Sequence, residues 1–397
     1  MAARTLRIGY LLNTFPSSSQ TFVANEVRAL RECGAELALF ALRPELGQEA
    51  GPGSVIYGRG GVGDLRRRLS LPLRGAARAV RAEKSRLFEA ALVVRHLGAA
   101  RRFARAARRL GVTHVHAQSA WLPLSLAFAV ARIEPVTVSF SCHARDLFVL
   151  SAGLREKLSR ARLCIACTAV GADHVRALAL PQDRRKVKLI YHGTDLEMFT
   201  YDPPGPLGDP PLIVAAGRMV PKKGFDVLLR ACALLRDRRP FQCEVYGQGH
   251  LAPALLRLRE ALGLGDVVAF PGWATYEAMP ALCRRADVLA VPSVPAPDGD
   301  RDGLPNVAVE ALAAGTPVVA SRFTALPEAV VHEETGLLCP PGDPHALADA
   351  LDRMLGDAEL RRHVAEKGRR LAEERFDFRR NTRSVLDALR SAAGPAA

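Results

Sequence analysis

The sequence predicts an α/β protein with two doubly wound domains, and three observations lead to that prediction. The chain opens with a buried strand, a helix and a second strand within residues 6–42, the order that begins a Rossmann-like domain. A second unit of this kind, strand–loop–helix–strand, occupies residues 287–320. Between them lies DPPGPLGDPP, residues 202–211, whose composition is typical of a stiff linker. With 397 residues, the chain is long enough for two domains of ordinary size.

The composition excludes several classes of protein. Hydrophobic residues make up 49% of the chain and the mean hydropathy is +0.04, as expected for a globular protein. The longest apolar stretch, residues 120–131, is too short to span a bilayer, and the N-terminus lacks the pattern of a secretory signal. The eight cysteines are scattered and several lie in apolar runs, which favours a reducing environment. We therefore expect a cytoplasmic protein.

The formal net charge of +14 is concentrated in one part of the chain. Residues 59–110 contain 15 Lys and Arg against 3 Asp and Glu. Such a block predicts an anionic partner, either an acidic membrane surface or nucleic acid, unless it is the solvated side of helices in an Arg-rich chain. Its aromatic residues are Phe88 and Phe103, so the sequence gives little support for a base-stacking platform. Apolar residues recur at helical spacing, which indicates helices with a core side and a cationic side.

Loops that follow strands are the candidate sites of the first domain, because ligands of doubly wound sheets bind at the carboxyl ends of strands. A polar loop, residues 13–20, joins the first strand to an amphipathic helix, Thr21–Glu32. The segment SCHARD, residues 141–146, follows the strand Val136–Phe140. The strand Val112–Ala117 carries His114 and His116 on one face. We predict that these are cleft or core histidines, since no carboxylate or third histidine is close in sequence.

The most informative stretch is DGDRDGLPNVAVEALAAGTPVVAS, residues 298–321. Pro305 suits the first turn of a helix, and Gly315 suits the left-handed position that ends it. The N–H groups at the helix start and the helix dipole make an anion site near residues 303–306. Asp302 and Glu310 would accept hydrogen bonds from hydroxyl groups beside a bound phosphate. Sugar and ribose hydroxyls flanking a diphosphate meet this requirement.

This stretch, D-x7-E followed by A-x-G-T-P-V-V-A, resembles the E-x7-E segment of retaining family 4 glycosyltransferases, with Asp302 where the family usually has Glu. The H-x-x-D and G-R-x4-K-G segments also resemble this family, and the S-x-T-F loop is similar to that of its exopolysaccharide and colanic acid type. The resemblance implies a GT-B fold, in which two Rossmann-like domains face a central cleft. We accordingly predict an acceptor-binding domain over residues 1–205, a nucleotide-sugar-binding domain over 206–377, and a C-terminal helix, 378–397, that crosses back to the first domain.

The resemblance also implies roles for individual residues. Arg218 and Lys223 would bind the donor diphosphate, and His143 would contact the transferred sugar. Asp302 would bind the sugar hydroxyls and Glu310 the ribose. The other predicted donor contacts are Gly217, Gly272, Trp273, Gly303, Leu304, Pro305 and Asn306. The predicted acceptor contacts are Ser19, Thr21, His116 and Asp146.

The predicted activity is retaining, metal-independent transfer of a hexose from a UDP- or GDP-sugar to a hydroxyl of a glycan, lipid-linked or small-molecule acceptor. No cofactor is expected besides the donor substrate. The alternatives are a GT-B sugar phosphorylase, a nucleotide-sugar epimerase and, more remotely, a noncatalytic basic protein that binds nucleic acid. A glycosidase also uses two carboxylates, but a hydrolase has no need for a diphosphate clamp. Residues 59–110 predict peripheral association with the inner face of the cell membrane.

Overall fold

The structure is a computed structural model that describes residues 6–15, 21–44, 55–58, 91–150 and 153–394. The chain divides into two compact units. The first comprises Met1–Cys167, Gly171–Ile190 and Thr382–Ala397, and the second comprises Thr168–Val170 and Tyr191–Asn381. The predicted linker, residues 202–211, therefore lies inside the second unit, because Phe199 before it already belongs to a core cluster of that unit.

A parallel sheet forms the centre of the first unit, with the strand order β3-β2-β1-β4-β5-β6-β7 over the described residues. Its strands are β1 (Arg7–Thr14), β2 (Glu36–Arg43), β3 (Ile56–Tyr57), β4 (His114–Ala117), β5 (Thr137–Cys142), β6 (Leu163–Ala166) and β7 (Val187–Leu189). Between these strands lie the helices α1 (Thr21–Glu32), α2 (Leu97–Leu110), α3 (Leu122–Ala131), α4 (Ala144–Phe148), α5 (Leu154–Arg160) and α6 (Ala169–Leu178). The strand order reverses between β1 and β4, which is the switch point where doubly wound sheets bind ligands.

Helix α2 shows how the described part of the basic block is built. Its buried side, which includes Phe103 and Ala107, packs in the same core cluster as Phe40 and Val115 of the sheet. Its arginines are exposed, at positions 101, 102, 105, 108 and 109. The prediction of a core side and a cationic side is confirmed for this helix, whereas residues 59–90 of the block lie outside the described residues.

The second unit is built on a parallel sheet with the order β10-β9-β8-β11-β12-β13. The strands are β8 (Leu212–Ala216), β9 (Gln242–Tyr246), β10 (Val268–Gly272), β11 (Val288–Val291), β12 (Val318–Ser321) and β13 (Leu337–Cys339). The helices are α7 (Phe225–Arg236), α8 (Ala252–Ala261), α9 (Met279–Arg285), α10 (Asn306–Ala314), α11 (Pro344–Gly356), α12 (Ala358–Arg375) and α13 (Phe378–Ala393), the last of which continues into the first unit. The switch point of this sheet lies between β8 and β11.

Helix α10 agrees closely with the sequence-based prediction. It begins at Asn306, directly after Pro305, and ends at Gly315, whose φ of 86° is the predicted left-handed conformation. Its residues from Val307 to Ala314 are all buried, which explains why its sequence is apolar on every side apart from Glu310. No helix in the described part of the chain, α10 included, is both long and apolar enough to cross a membrane.

Candidate active site

Two loops meet at the switch point of the second sheet. The first loop follows β8 and contains Arg218 and a short 3₁₀ helix, Pro221–Lys223. The second follows β11 and leads into α10. Gly224 has a φ of 63°, and a Cβ atom there would lie 1.9 Å from the carbonyl oxygen of Pro292. Only glycine tolerates both this conformation and this contact, and the close approach places Lys223 beside the loop after β11.

Three salt bridges join these loops. The Nζ of Lys223 lies 2.7 Å from Asp302 Oδ2, and the Nζ of Lys222 lies 3.4 Å from Asp302 Oδ1. Lys222 also pairs with Asp300, whose Oδ2 is 3.1 Å away. The hydroxyl of Ser293 donates to Asp302 Oδ2 at 3.4 Å. Asp302 is thus fixed from both loops, and both of its oxygens face ammonium groups.

The lysines set the protonation state of Asp302. Burial by itself raises the pKa of this carboxyl, but the charges of Lys223 and Lys222 outweigh that effect and lower the pKa below its ordinary value. Asp302 is therefore a carboxylate at neutral pH. A carboxylate only accepts hydrogen bonds, so it can bind the O–H group of a sugar as a donor.

Glu310 differs from Asp302 although both carboxyls are buried. It lies in the second turn of α10 and has an exposed fraction of 6%. Burial raises its pKa to about 7, and the charge of Lys223 only partly opposes this. Glu310 therefore gains or loses its proton near neutral pH, so its charge responds to whatever binds beside it.

The remaining predicted donor residues occupy three places. Arg218, directly after Gly217, is exposed, and within the described part of the chain it forms no salt bridge. Residues Gly303–Asn306 form the turn before α10, where Thr324 donates to the carbonyl oxygen of Gly303 at 3.2 Å. Gly272 ends β10, two strands from β8, and Trp273 directly after it is 41% exposed. The structure thus groups Lys223 with Asp302 and Glu310, and places Trp273 at the edge of the sheet.

In the first unit, His143 lies directly after β5 and precedes α4. Its peptide N–H donates to Asp146 Oδ2 at 3.0 Å, and Ser119 Oγ donates to Asp146 Oδ1 at 2.7 Å. The ring of Phe22 on α1 lies 5.4 Å from the imidazole of His143. Asp146 is 5% exposed, and its two oxygens hold the loop that carries His143. This arrangement makes Asp146 a support for His143, while its predicted acceptor contact stays a prediction.

The predicted contact between His116 and an acceptor does not fit its position, because the side chain is fully buried in the sheet. Its Nδ1 lies 2.7 Å from Ser139 Oγ and its Nε2 lies 3.0 Å from Ser141 Oγ. His114 bonds Thr137 and Ser139 in the same way, at 2.7 and 2.6 Å. Burial lowers the pKa of His114 to about 4 and that of His116 well below its ordinary value, so both rings are neutral. They are core histidines, one of the two possibilities that the sequence left open.

The other two predicted acceptor residues are at the limit of what the structure describes. Ser19 lies outside the described residues. Thr21 is the first residue of α1, but its side chain is outside the described part of the chain. Their roles stay predictions.

Sequence reasoning missed two sets of residues. Lys222 and Asp300 are part of the salt-bridge cluster, but nothing in the sequence distinguishes Lys222 from Lys223 as the more deeply buried lysine. Glu26 in the first unit is also buried, and a signal for it existed. It lies on the side of α1 that carries Val23, Val27 and Leu30, at the spacing of a buried helix face.

Comparison with known families gives two matches. The family described as Glycosyltransferase Family 4 matches residues 19–198, and the family described as Glycosyl transferases group 1 matches residues 201–371. Between them, the matches extend over both units. They meet near residue 200, close to the division between the two units.

One similar protein is that named colanic acid biosynthesis glycosyltransferase WcaL, from Escherichia coli (strain K12). It is 27% identical over 424 aligned positions, which cover 97% of this chain and 100% of WcaL. Among solved structures, a glycosyltransferase from Rickettsia africae ESF-5 has a TM-score of 0.73 at 16% identity, covering 99% of this chain and 100% of that one. Alr3699/HepE of Anabaena, solved in complex with UDP-glucose, has a TM-score of 0.70 at 18% identity, with 97% and 100% covered.

The fold, the matched families and the full-length similarity agree with one another. The two parallel sheets and the similarity to solved glycosyltransferase structures confirm the predicted GT-B fold. The matched families and the exopolysaccharide relatives confirm the predicted family. This chain belongs to the family 4 glycosyltransferases and is similar to those that build exopolysaccharides.

Proposed function

We propose that this glycosyltransferase moves a hexose from a UDP- or GDP-sugar to a hydroxyl group, with retention of the anomeric configuration and without a metal ion. The observation that carries the proposal is the cluster of Lys223, Asp302 and Glu310 at the switch point of the second sheet. It combines a cation for a phosphate, a carboxylate for sugar hydroxyls and a second carboxyl for the ribose. The complex of HepE with UDP-glucose supports a nucleotide-sugar donor of this kind.

In the proposed reaction, the bond between the anomeric carbon and the leaving phosphate oxygen breaks, and the acceptor oxygen bonds to the same face of that carbon. The acceptor proton passes to a leaving phosphate oxygen, and the nucleoside diphosphate departs. Lys223, Arg218 and the start of α10 stabilise the charge that develops on the diphosphate. These groups supply the positive charge, and for that reason the proposal includes no metal ion.

The salt bridge between Lys223 and Asp302 supports a direct connection between phosphate and sugar binding. When a diphosphate approaches, the Nζ of Lys223 can share its three N–H donors between the phosphate and Asp302. Asp302 then has lone pairs for the sugar hydroxyls and remains charged, because Lys222 still faces it at 3.4 Å. We also propose that His143 contacts the transferred sugar.

The names of similar proteins support a pathway and an acceptor class for the reaction. WcaL is named for colanic acid biosynthesis, and AmsK of Erwinia amylovora, which is 32% identical over 187 residues, is named for amylovoran biosynthesis. We therefore propose polysaccharide biosynthesis as the pathway and a glycan or lipid-linked saccharide as the acceptor.

The stereochemistry and the donor can be tested together. The chain is first screened by thermal shift against UDP, GDP and ADP, since a ligand that binds the folded state raises its melting temperature. The selected donor is then incubated with the enzyme and candidate acceptors, and the anomeric signal of the product is recorded by NMR. We expect a product with the donor's anomeric configuration and undiminished turnover in EDTA. An inverted product or complete loss in EDTA would contradict the proposed mechanism. Sugar 1-phosphate formed from orthophosphate would instead indicate a phosphorylase.

We further propose that the basic block brings the enzyme reversibly to an acidic membrane surface. The exposed arginines of α2, among them Arg101, Arg102 and Arg105, support this proposal. Each basic side chain near an anionic leaflet contributes about 1 kcal/mol. Several such contacts would hold the protein at the surface at low salt and release it at high salt.

Co-sedimentation with vesicles tests this binding. The chain is mixed with vesicles of phosphatidylcholine alone or with phosphatidylglycerol added, at low and high salt. We expect binding to anionic vesicles at low salt, weakened when Arg101, Arg102 and Arg105 are replaced by Gln. The same replacement at three exposed arginines of the second unit is the control, because it changes the net charge equally. Negligible binding to both lipids would favour a soluble acceptor.

A further inference from the structure

The loop after β12 contains a threonine in a backbone conformation that suits glycine. Thr324 has a φ of 47°, and Glu333 is the one other non-glycine residue of the described chain with a positive φ. A β-branched side chain is disfavoured in this conformation, because its Cβ atom comes close to the following carbonyl oxygen. Glycine avoids this cost, and strained residues of this kind cluster at functional sites. The side chain of Thr324 therefore needs an explanation.

Packing on both sides of Thr324 explains the backbone turn. Before it, the peptide N–H of Arg322 donates to the carbonyl oxygen of Cys339 on β13 at 2.7 Å. After it, Ala325 and Leu326 are buried. The chain must therefore turn within a few residues, and a positive φ at Thr324 makes this possible. Glycine would meet the same requirement, so packing accounts for the turn but not for the threonine side chain.

The hydroxyl group of Thr324 connects this loop to the turn before α10. It donates to the carbonyl oxygen of Gly303 at 3.2 Å. A second contact joins the same two segments, because the guanidinium carbon of Arg301 lies 6.0 Å from the centre of the Phe323 ring. On its other side, the turn is held through Asp302, whose carboxylate pairs with the lysines of the loop after β8. The turn before α10 is thus held by two different loops.

The hydrogen bond from Thr324 also sets the direction of a peptide N–H group. In a planar trans peptide, the carbonyl oxygen of Gly303 and the N–H of Leu304 point in opposite directions. Because the Gly303 oxygen faces the loop after β12, the Leu304 N–H points away from that loop. Within the described part of the chain, no protein group accepts a hydrogen bond from this N–H. Pro305 has no N–H, so Leu304 supplies the last donor before the helix itself.

We propose that Thr324 is a positioning residue, whose hydroxyl group holds the Gly303 carbonyl so that the Leu304 N–H faces the leaving diphosphate. The inference rests on the proposed function, in which the start of α10 stabilises the charge of that diphosphate. Donors that are fixed in direction before the reaction stabilise a developing charge most effectively. This role explains the threonine, since it supplies a hydroxyl group in a turn that otherwise favours glycine. The alternative is that the hydrogen bond only joins two loops.

Three substitutions separate the hydroxyl group from the backbone conformation. Thr324→Ser keeps the hydroxyl group, Thr324→Val keeps the shape without it, and Thr324→Gly lacks it but suits the positive φ. The matched control is Thr200→Val, because Thr200 is an exposed threonine of the same unit. The full chain is assayed by release of UDP from UDP-glucose and of GDP from GDP-mannose, and the melting temperature of each variant is recorded.

We expect kcat to fall about tenfold in Thr324→Val and Thr324→Gly, and to stay within about twofold of the wild type in Thr324→Ser and Thr200→Val. The melting temperature of Thr324→Gly should change little, since relief of the strained conformation offsets the lost hydrogen bond. A structural role alone would not lower kcat in such a variant. A kcat of Thr324→Gly equal to that of Thr324→Ser would overturn the inference, even if Thr324→Val were poorly folded.

A second measurement does not require turnover. UDP and GDP are the leaving groups themselves, and their binding to each variant is measured by calorimetry. We expect Thr324→Val and Thr324→Gly to bind the preferred nucleoside diphosphate about fivefold more weakly than Thr324→Ser. Equal affinities of the three variants would refute the positioning of the N–H. If the affinities follow the expected order but the wild type consumes no donor, the proposed function fails and the positioning stands.

Discussion

In the second unit, Lys222 and Lys223 are paired with Asp300 and Asp302 near the surface of the switch point. In the first unit, the polar groups between β4 and β5 are two neutral histidines bonded to serine and threonine hydroxyls. The histidines are buried and neutral, whereas the charged set is buried at Lys222 and Asp302 and partly exposed at Lys223 and Asp300. The difference follows from where each set lies. The lysines and carboxylates lie on two loops at the switch point, whereas the histidines are enclosed by the sheet.

The contrast suggests a division of tasks. A cluster of paired charges can exchange one partner for an anionic ligand and remain satisfied, so it is suited to binding. The neutral hydrogen-bonded set between β4 and β5, here called the ladder, has no charge to exchange, and the protein loses stability when any member of the set is removed. The ladder consists of His114, His116, Thr137, Ser139 and Ser141. We therefore expect substitutions in the second unit to affect catalysis and pH dependence, and substitutions in the ladder to affect stability alone.

The largest effect is expected from Lys223→Ala. The proposed cation for the leaving diphosphate is lost, and removal of a charge partner of the transition state reduces the rate about 10²-fold or more. The measurement is kcat/KM for the selected nucleotide sugar. Lys367→Ala, at an exposed position of α12, is the control for a lost lysine. Equal activity in the two variants would contradict the proposed role of Lys223 in stabilising the leaving diphosphate.

The next effect concerns the charge of Glu310. Burial raises its pKa to about 7 from a model-peptide value of 4.5, so the folded protein binds this proton more tightly than the unfolded chain. This contribution to stability is complete below pH 4.5 and is lost as the pH rises through 7, by about 3 kcal/mol at most. Glu310→Gln lacks this dependence. Its free energy of unfolding relative to wild type should therefore rise between pH 5 and pH 8, as measured by urea denaturation.

The same variant tests the assignment of Glu310 to the ribose. Loss of a charge-assisted hydrogen bond should weaken nucleoside diphosphate binding about tenfold. Glu334→Gln, an exposed glutamate of the same unit, is the control. If the affinity is unchanged and only the sugar preference moves, Glu310 and Asp302 exchange roles. If the pH dependence of stability equals that of the control, Glu310 is not the group that titrates.

The smallest effect is expected from Ser139→Ala in the ladder. The hydroxyl lies within hydrogen-bond distance of both His114 and His116, so its removal leaves buried ring nitrogens without that partner. We expect a loss of about 1–2 kcal/mol in the free energy of unfolding and no change in nucleotide affinity. Ser159→Ala, at an exposed position, is the control. A clear loss of nucleotide affinity would mean that the ladder also serves binding.

Much of the fold could be predicted because the deciding signals are local. Short apolar runs bounded by Gly or Pro mark buried strands, and their alternation with helices allows few topologies. Gly315 could be placed in the left-handed conformation because a helix end needs it and few other residues tolerate it. The salt-bridged Lys223 and Asp302 were candidates because the segments that contain them resemble family motifs and follow strands, where doubly wound sheets bind ligands.

The contacts that determine the charge of each side chain could not be predicted from local sequence signals. Lys222 and Lys223 are neighbours in sequence, and which of them binds Asp300 depends on the loop after β11, nearly 80 residues away. His114 and His116 looked equally able to face a site or the core until β5 supplied their hydroxyl partners. Protonation and burial are set by groups that folding brings together, because electrostatic interactions and desolvation depend on distance in space and not on position along the chain. The residue types and their order therefore define the elements and the candidate chemistry, whereas packing assigns each ionisable side chain to binding or to the core.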